Sequence, residues 1–427
     1  MWILYETLFL IGLLLYLPKA VWRKRLPHQG WVMRLGRYPS SLKERLSDRQ
    51  TIWVHAVSVG EVLAVRPLLR RLAQTYPDQP LVLSAITPSG YQLAATQVDH
   101  DGVAIYFPLD LRWCVRRALN TLRPRMLLLV DSELWPLTIH LTKARGVPVV
   151  VVNGRISPRT FRRALWFKPW VAPMLAKVDL FLMQSQVDAD RLLQLGVPAE
   201  KVRVVQSLKW DASVHTRPTS QDLQETAARI GIQPHETIIV AGSTHRGEET
   251  AVLHAFHAWR GAGKTARLII APRHLERLTE VEALIRNAGY ASVRFSQGIS
   301  TSRWDVGLVD TFGQLPRYYG LATIVFVGGS LIPHGGQNPL EAASLGKPIL
   351  FGPFMHNFAD IAQQLTTNRA ARQLSNAAEC TSALHALLAN PVDAQAMGRR
   401  AQELTTRCQG ATQRTLDALT LLLSRIS

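Results

Sequence analysis

A segment in the last third of the chain combines four glycines with side chains that can bind an anion. It reads GGSLIPHGGQNPLE, and its glycines are Gly328, Gly329, Gly335 and Gly336. Glycine lets backbone N–H groups approach a ligand closely. A helix is predicted to start within the segment from Asn338 to Glu341, and its first N–H groups would point at an anion. The segment predicts a site for a nucleotide or nucleotide sugar. A tight turn between a strand and a helix is the simpler alternative.

Two further turns follow predicted strands in the same half of the chain. GSTHRGEE leads into a helix, and Ser243, Arg246 and its backbone amides could hold a phosphate. PRHLER follows the next strand, and Arg273, beside His274, could reach an anion. Since the carboxyl ends of parallel strands share one edge of a sheet, the three turns predict one ligand site. A structural role for all three turns is the alternative.

Two carboxylates end comparable turns in the first half of the chain. Glu61 closes the motif HAVSVGE, in which Gly60 would let the turn close before a helix begins. A carboxylate in this position can act as a general base, but it can equally complement the helix dipole. Glu133, in DSELWP, could bind a substrate, whereas its neighbour Asp131 could cap a helix. The residues alone leave these alternatives open.

A basic loop rich in aromatic residues follows Asn153. Its cations are Arg155, Arg159, Arg162, Arg163 and Lys168, and they alternate with Phe161, Trp166, Phe167 and Trp170. Such a pattern suits phosphates carried on a lipid at a membrane surface. A groove for nucleic acid is the alternative, but no recognised nucleic-acid module accompanies the loop.

Signals for a metal ion are poor. Asp188 and Asp190 have the spacing of a metal-binding D-x-D motif, yet they follow Ser185 where acids cap a helix. His254 and His257 share a helix face without a third ligand. No metal site and no cofactor is therefore expected.

Alternating strands and helices position these motifs. The first series of predicted strands covers residues 51–56, 81–86, 103–107, 126–130, 147–152 and 180–183. After a polar linker near 211–221, the second covers 237–241, 268–271, 293–296, 306–309, 324–327 and 349–351. This alternation predicts two parallel, doubly wound sheets, and hence two Rossmann-like domains with a cleft between them.

Length and composition agree with two domains and suggest a basic surface. The chain has 427 residues, of which 47% are hydrophobic, and a net charge of +18. Residues 1–205 carry 28 Lys and Arg against 14 Asp and Glu, so most of the charge lies there. Nucleic acid, anionic lipid or an acidic substrate could face this surface. Three cysteines without C-x-x-C spacing predict neither a disulfide framework nor structural zinc, and they fit a reducing compartment.

The N-terminus is apolar from Trp2 to Leu17 apart from Glu6 and Thr7, and basic residues follow it up to Arg25. The charges lie behind the apolar run and no cleavage site is evident, so we expect an uncleaved anchor rather than a signal peptide. Its length leaves open whether it spans the bilayer or lies in it. The basic flank predicts that the rest of the chain is cytoplasmic. A buried first helix is the alternative.

Taken together, the motifs resemble those of the bacterial Kdo transferases, the 3-deoxy-D-manno-octulosonic acid transferases of lipid A synthesis. The matching segments are the apolar N-terminus, HAVSVGE, SELWP, NGRIS, SLKWD, GSTHRGEE, PRHLER, DTFGQL and GGSLIPHGGQNPLE. The resemblance implies an α/β fold of GT-B type, with two Rossmann-like doubly wound domains facing across a cleft and an N-terminal membrane-anchoring helix. It implies domains at 1–25 (anchor), 26–210 (acceptor), 211–391 (donor) and 392–427 (a helical segment packing back across the domains).

The resemblance also implies a reaction and a place for it. It predicts metal-independent, inverting transfer of Kdo from CMP-Kdo to a lipid A precursor at the cytoplasmic face of the inner membrane, with no nucleic-acid partner. Glu61 is implied to be the general base. The implied acceptor-binding residues are His55, Ser58, Gly60, Glu133 and Arg155. The implied donor-binding residues are Lys209, Ser243, Arg246, Arg273, His274, Gly328, Gly329, Gly335, Gly336, Asn338 and Glu341.

Two rival functions are consistent with parts of the same pattern. A nucleotide-sugar 2-epimerase would share the fold, but it would need a soluble N-terminus. A membrane-tethered protein that binds nucleic acid would explain the charge, but not the three turns at strand ends.

Overall fold

The computed structural model describes residues 2–22, 30–46, 49–98, 101–214, 217–297 and 304–425. The chain forms two compact units. Unit 1 consists of Met1–Ala212 and Gly410–Ser427, and unit 2 consists of Ser213–Gln409. The chain thus passes from unit 1 to unit 2 within two residues of the division expected from the sequence, and it later returns to unit 1.

Unit 1 is built on a parallel sheet of seven strands. Their bounds are β1 Thr51–His55, β2 Leu81–Ala85, β3 Val103–Tyr106, β4 Pro124–Val130, β5 Val149–Gly154, β6 Leu180–Met183 and β7 Val202–Val204. The strand order is β3-β2-β1-β4-β5-β6-β7. The order reverses between β1 and β4, and doubly wound sheets bind ligands beyond the carboxyl ends of the strands at such a reversal.

Apolar layers cover both faces of this sheet. Trp53 and Leu127 pack into one layer, whereas Ile52, Val54 and Leu128 pack into the other. Successive side chains of a strand point to opposite faces, so a strand that is buried on both sides must be apolar throughout. The continuous apolar runs of the sequence have this physical cause.

Helices connect the strands of unit 1. They are α1 Trp2–Trp22, α2 Trp31–Arg34, α3 Ser40–Leu46, α4 Val59–Thr75, α5 Pro88–Gln97, α6 Arg112–Leu122, α7 Pro136–Lys143, α8 Pro158–Trp166, α9 Lys168–Leu175, α10 Gln186–Gln194 and α11 Leu208–Val214. The last of these occupies the beginning of the linker predicted near 211–221, which is therefore helical where the sequence indicated a polar connection.

Unit 2 repeats the architecture with a second parallel sheet of seven strands. These are β8 Ile238–Thr244, β9 Arg267–Pro272, β10 Ser292–Arg294, β11 Val306–Leu308, β12 Ile324–Val327, β13 Ile349–Phe351 and β14 Arg372–Gln373. The order is β10-β11-β9-β8-β12-β13-β14, which reverses between β8 and β12. The remaining helices are α12 Ser220–Ile230, α13 Glu248–Gly261, α14 Leu278–Asn287, α15 Leu315–Leu321, α16 Leu340–Ser344, α17 Ala359–Thr367, α18 Glu379–Ala389, α19 Pro391–Arg407 and α20 Ala411–Ser424.

The C-terminal helical segment, predicted at 392–427, belongs partly to unit 2 and partly to unit 1. Helix α19 belongs to unit 2, whereas α20 packs against α4 in unit 1. The hydroxyl groups of Tyr76 and Thr420 lie 3.0 Å apart. Asp211 accepts hydrogen bonds from the amides of Gly410 at 2.8 Å and Thr412 at 2.6 Å, which satisfies the N-terminus of α20.

Helix α1 is fixed to unit 1 through two polar side chains. The Tyr5 hydroxyl donates to Asp110 at 2.8 Å, and Glu6 accepts from the backbone amide of Arg112 at 2.8 Å. Ile3 is 76% exposed and Leu15 is also 76% exposed, so apolar side chains of α1 face outward. Within the described parts of the chain, no helix combines the length and the apolar character needed to cross a bilayer. The predicted basic flank at Arg23 to Arg25 lies outside the described residues.

Candidate active site

Glu61 lies at the start of α4, directly beyond the carboxyl end of β1. Its carboxylate accepts a hydrogen bond from the amide of Val57 at 2.6 Å and one from the Ser58 hydroxyl at 3.1 Å. Burial raises the pKa of Glu61 to about 7, and the nearby charges of Asp131 and Glu133 add to this rise. The hydrogen bond from Val57 opposes it. A carboxyl group with such a pKa is suited to general base catalysis near neutral pH.

Oppositely charged side chains surround Asp131 at the end of β4. The Arg155 guanidinium lies 3.5 Å from its carboxylate. Burial raises the pKa of Asp131, while the charges of Arg155 and Lys209 oppose the rise. Burial likewise raises the pKa of Glu133. The structure therefore brings the predicted residues Glu133 and Arg155 to one sheet edge, and it places Lys209 beside them in unit 1.

Three residues that end strands of unit 1 have a left-handed backbone although none is glycine. They are Asp131 with φ 64°, Asn153 with φ 54° and Gln206 with φ 68°. The Asn153 side chain accepts a hydrogen bond from the amide of Leu208 at 2.9 Å and so holds the start of α11, which carries Lys209. Backbone conformations of this kind cost free energy and concentrate at functional sites. This role of Asn153 was not predicted from its residue type or its neighbours.

The prediction that His55 binds the acceptor is wrong. Its side chain is completely buried, stacks on Phe107 with ring centroids 3.7 Å apart, and lies 3.0 Å from the Ser84 hydroxyl. Burial lowers the pKa of His55 to about 3, so the imidazole is neutral. The side chain belongs to the core. Gly60, in contrast, is exposed, and a Cβ atom there would meet no other atom closer than 4.0 Å.

In unit 2, residues 328–341 form the turn after β12, which we call the glycine-rich loop. The amides expected to hold a phosphate already have partners within the protein. The Gly328 amide donates to the Gly242 carbonyl at 2.8 Å, the Gly329 amide to Glu248 at 2.7 Å, and the Gly336 amide to the Gly329 carbonyl at 2.7 Å. These three amides therefore do not form the predicted anion cradle. Gly335 and Gly336 are buried, and they pack against 355–357.

Three imidazoles meet beside this loop. The ring of His245 lies 4.1 Å from that of His334 and 5.5 Å from that of His274, measured between centroids. Burial lowers the pKa of His245 to about 4, and the charges of His334, His274 and Arg273 contribute to this lowering. These neighbouring basic groups favour an anionic ligand, because a negative charge would attract their protonated forms and offset the repulsion between them. Of the three histidines, only His274 was predicted to bind the donor, although His334 lies in the glycine-rich segment that indicated a ligand site.

Asn338 and Glu341 form a linked pair at the start of α16, as the predicted helix start requires. The Asn338 side chain accepts from the amide of Leu340 at 3.1 Å and donates to Glu341 at 3.4 Å. Burial raises the pKa of Glu341 to about 7, and the charge of Arg273 opposes this. Asn338, Glu341 and Arg273 therefore lie in one region of unit 2. Ser243 lies at the end of β8 with φ 54°, another strained strand end.

The Arg246 side chain is exposed and is paired with an acidic side chain. It forms a two-pronged ion pair with Glu280 of α14, with distances of 3.0 and 2.8 Å, and its side chain is 79% exposed. Ion pairs exposed to water contribute little to stability. In this structure its guanidinium is paired with Glu280, so its predicted contact with the donor remains a prediction.

Replacing Arg246 by alanine should change the Michaelis constant for the donor by less than about twofold. The guanidinium is paired with Glu280, and an exposed ion pair contributes little free energy. Steady-state kinetics with the donor varied would measure this. Arg273→Ala provides the comparison and should raise the same constant. A tenfold or larger rise in the Arg246→Ala variant would restore the original prediction.

The described residues include no group of three His, Cys, Asp or Glu side chains arranged to hold a metal ion. Asp188 of the D-x-D sequence accepts hydrogen bonds from the Ile156 amide at 2.8 Å and the Ser185 hydroxyl at 2.6 Å. Ser185 caps α10, since its hydroxyl accepts from the Asp188 amide, and the Asp188 carboxylate is occupied by bonds within the protein.

Two doubly wound units with parallel sheets define the GT-B class of fold. S. aureus MnaA in its UDP complex is similar, with a TM-score of 0.61 at 13% identity over 88% of this chain and 97% of that one. UDP-GlcNAc 2-epimerase from Neisseria meningitidis gives 0.61 at 14% identity, over 87% of this chain and 100% of that one. At such identities the similarity concerns the fold alone.

Sequence comparison identifies the family within this class. The family model of 3-deoxy-D-manno-octulosonic-acid transferase matches residues 29–212. The 3-deoxy-D-manno-octulosonic acid transferase of Haemophilus influenzae is 31% identical over 380 residues, 88% of each chain, and that of Bordetella pertussis is 35% identical over 381 residues, 86% of each. The chain therefore belongs to the 3-deoxy-D-manno-octulosonic acid transferase family and is a glycosyltransferase, which confirms the resemblance seen in its motifs.

Proposed function

We propose that this transferase moves Kdo from CMP-Kdo to a lipid A precursor, a phosphorylated and acylated glucosamine disaccharide, with inversion at the anomeric carbon. The observation that carries the proposal is Glu61, a partly buried carboxyl group at the end of β1 whose pKa is raised to about 7. In a transfer to a sugar hydroxyl, such a group takes up the proton. Family membership supports the identity of the transferred sugar.

We assign the following roles to the residues described above. The acceptor hydroxyl oxygen attacks the anomeric carbon of Kdo, its proton passes to Glu61, and the bond between that carbon and the phosphate oxygen breaks. CMP leaves with the electron pair of this bond. Arg273, His245 and His334 stabilise the charge that develops on the phosphate, and Asn338 with Glu341 binds the nucleoside. Arg273 supplies a positive charge and the neutral imidazole of His245 can donate a hydrogen bond, so we expect transfer without an added divalent cation.

The acceptor and the membrane would meet the basic unit 1. In α8, α9 and the residue between them, Trp166 is 86% exposed, Phe167 is 60% exposed and Trp170 is 57% exposed. Arg159, Arg162 and Arg163 lie on α8 among these aromatic residues. Aromatic rings suit the bilayer interface and arginines suit anionic headgroups and lipid phosphates. Together with the outward apolar side chains of α1, they support a location at the cytoplasmic face of the inner membrane.

The direct test incubates the full chain in detergent or in membranes with CMP-Kdo and a lipid A precursor, with and without a chelator. The expected product is heavier by one or more Kdo residues, and the mass spectrum also counts them. If no Kdo is transferred but CMP binds, the proposed acceptor is wrong. If UDP-N-acetylglucosamine is epimerised instead, the proposed reaction itself is wrong.

A further inference from the structure

Glu248 is the first residue of α13, and its side chain is completely buried. Its carboxylate accepts four backbone hydrogen bonds. One oxygen accepts from the amides of Ser330 at 2.8 Å and Leu331 at 2.9 Å. The other accepts from the amides of Gly329 at 2.7 Å and His245 at 2.9 Å.

The three successive amides of Gly329, Ser330 and Leu331 converge on the two oxygens of one carboxylate, as in a backbone nest for an anion. The left-handed conformation of Gly329, with φ 65°, allows this convergence. In this protein the anion is the carboxylate of Glu248. A buried carboxylate and buried amides each lose hydration on folding, so each requires the other as a partner.

The same carboxylate joins the two turns on either side of the reversal in strand order. His245 lies in the turn after β8, and the other three amides belong to the glycine-rich loop after β12. This connection sets the position from which the loop continues to His334, whose ring lies 4.1 Å from that of His245. The position of the imidazole pair therefore depends on Glu248.

We infer that Glu248 is a positioning residue for the donor: it fills the nest of the glycine-rich loop and thereby holds His245 and His334 in the arrangement that receives the donor's anionic group. The inference rests on the proposed donor site in unit 2. The contacts to the donor's anionic group are then made by side chains, since the amides of Gly329, Ser330 and Leu331 already bond to Glu248.

Glu249 provides a matched control. It is the next residue of α13 and is also completely buried, but it pairs with Arg277 at 2.8 Å and bonds to no amide of the glycine-rich loop. Glutamine in place of Glu248 has only one oxygen, and its amino group would face amide donors. The Glu248→Gln variant should raise the Michaelis constant for CMP-Kdo at least about tenfold, which corresponds to one lost charged hydrogen bond, with the constant for the acceptor unchanged. The Glu249→Gln variant should change the donor constant by less than about threefold, since it leaves all four hydrogen bonds of Glu248 in place, three from the loop and one from His245.

A donor constant in folded Glu248→Gln equal to that of wild type would overturn the inference, and so would equal rises for donor and acceptor. Hydrogen exchange on the wild-type full chain provides a test that does not depend on the folding of a variant. The amides of Gly329, Ser330 and Leu331 should be protected before CMP is added and remain so afterwards. Protection that arises only with CMP would overturn the inference. Failure of CMP to bind would instead refute the donor site, with the protection of the three amides still measurable.

Discussion

Replacing Glu61 by glutamine should reduce the rate of Kdo transfer by about two to four orders of magnitude while unit 1 remains folded. Glutamine has the same shape and retains one oxygen to accept the amide of Val57, which lies 2.6 Å from the carboxylate. It cannot take up a proton from the acceptor hydroxyl. The turnover number under saturating CMP-Kdo and acceptor measures the loss, and circular dichroism checks the fold. Full activity in the folded variant would exclude Glu61 as the base.

The pH dependence of the wild-type enzyme tests the same group. A general base must be ionised, so kcat/KM should rise with pH through about 7, the raised pKa of Glu61, and fall away below it. The Glu61→Gln variant should lack this rise in its residual activity. A rise that persists with the same midpoint in the variant would assign the titration to another group.

Stability should depend on pH in the opposite direction. The pKa of Glu61 is raised from 4.5 to about 7, so the folded state holds its proton more tightly than the unfolded state does. Ionisation therefore lowers the free energy of unfolding as pH rises from about 4.5 to about 7. We expect Glu61→Gln to be at least as stable as wild type at pH 8. Thermal melts of both proteins at pH 5 and pH 8 would show whether the variant loses this dependence.

The twelve strands predicted from apolar runs are all present. Most of them are buried, and burial on both faces leaves a strong apolar pattern, whereas β10 is a short edge strand that is not buried. Two strands were not predicted, β7 Val202–Val204 and β14 Arg372–Gln373. Both are edge strands, and each is two or three residues long and not buried. Such segments have little apolar character, and their pairing depends on the neighbouring strand rather than on their own residues.

The candidate site was predictable where a polar residue directly follows a buried strand, as for Glu61 and Glu133. It was not predictable where the partner is distant in sequence. Glu280 lies 34 positions from Arg246, and the Gly329 amide lies 81 positions from Glu248, and no local pattern records either pair. For His55 a signal did exist: strand alternation places it on the same face of β1 as the core residue Trp53.

The first residue of the glycine-rich loop, Gly328, should tolerate no side chain. A Cβ atom there would lie 2.5 Å from the carbonyl oxygen of Ser243 and 2.7 Å from the Cα atom of Thr244. These are backbone atoms of β8, which cannot rotate away as a side chain could. Gly328→Ala should therefore push the two turns apart, lower the free energy of unfolding by about 1–3 kcal/mol, and sharply weaken donor binding.

Gly261 provides the control for this variant. It ends α13 in the same unit, and a Cβ atom there would meet nothing within 4 Å. Gly261→Ala should leave donor binding unchanged and stabilise the protein by about 0.4–1 kcal/mol, because alanine restricts the unfolded chain. Denaturant unfolding and titration with CMP would measure both properties in both variants. Donor binding in Gly328→Ala equal to that in Gly261→Ala would show that the spacing between β8 and β12 does not set the geometry of the site. Loss in Gly328→Ala alone would locate the donor site at the reversal of strand order in unit 2, where this close backbone approach occurs.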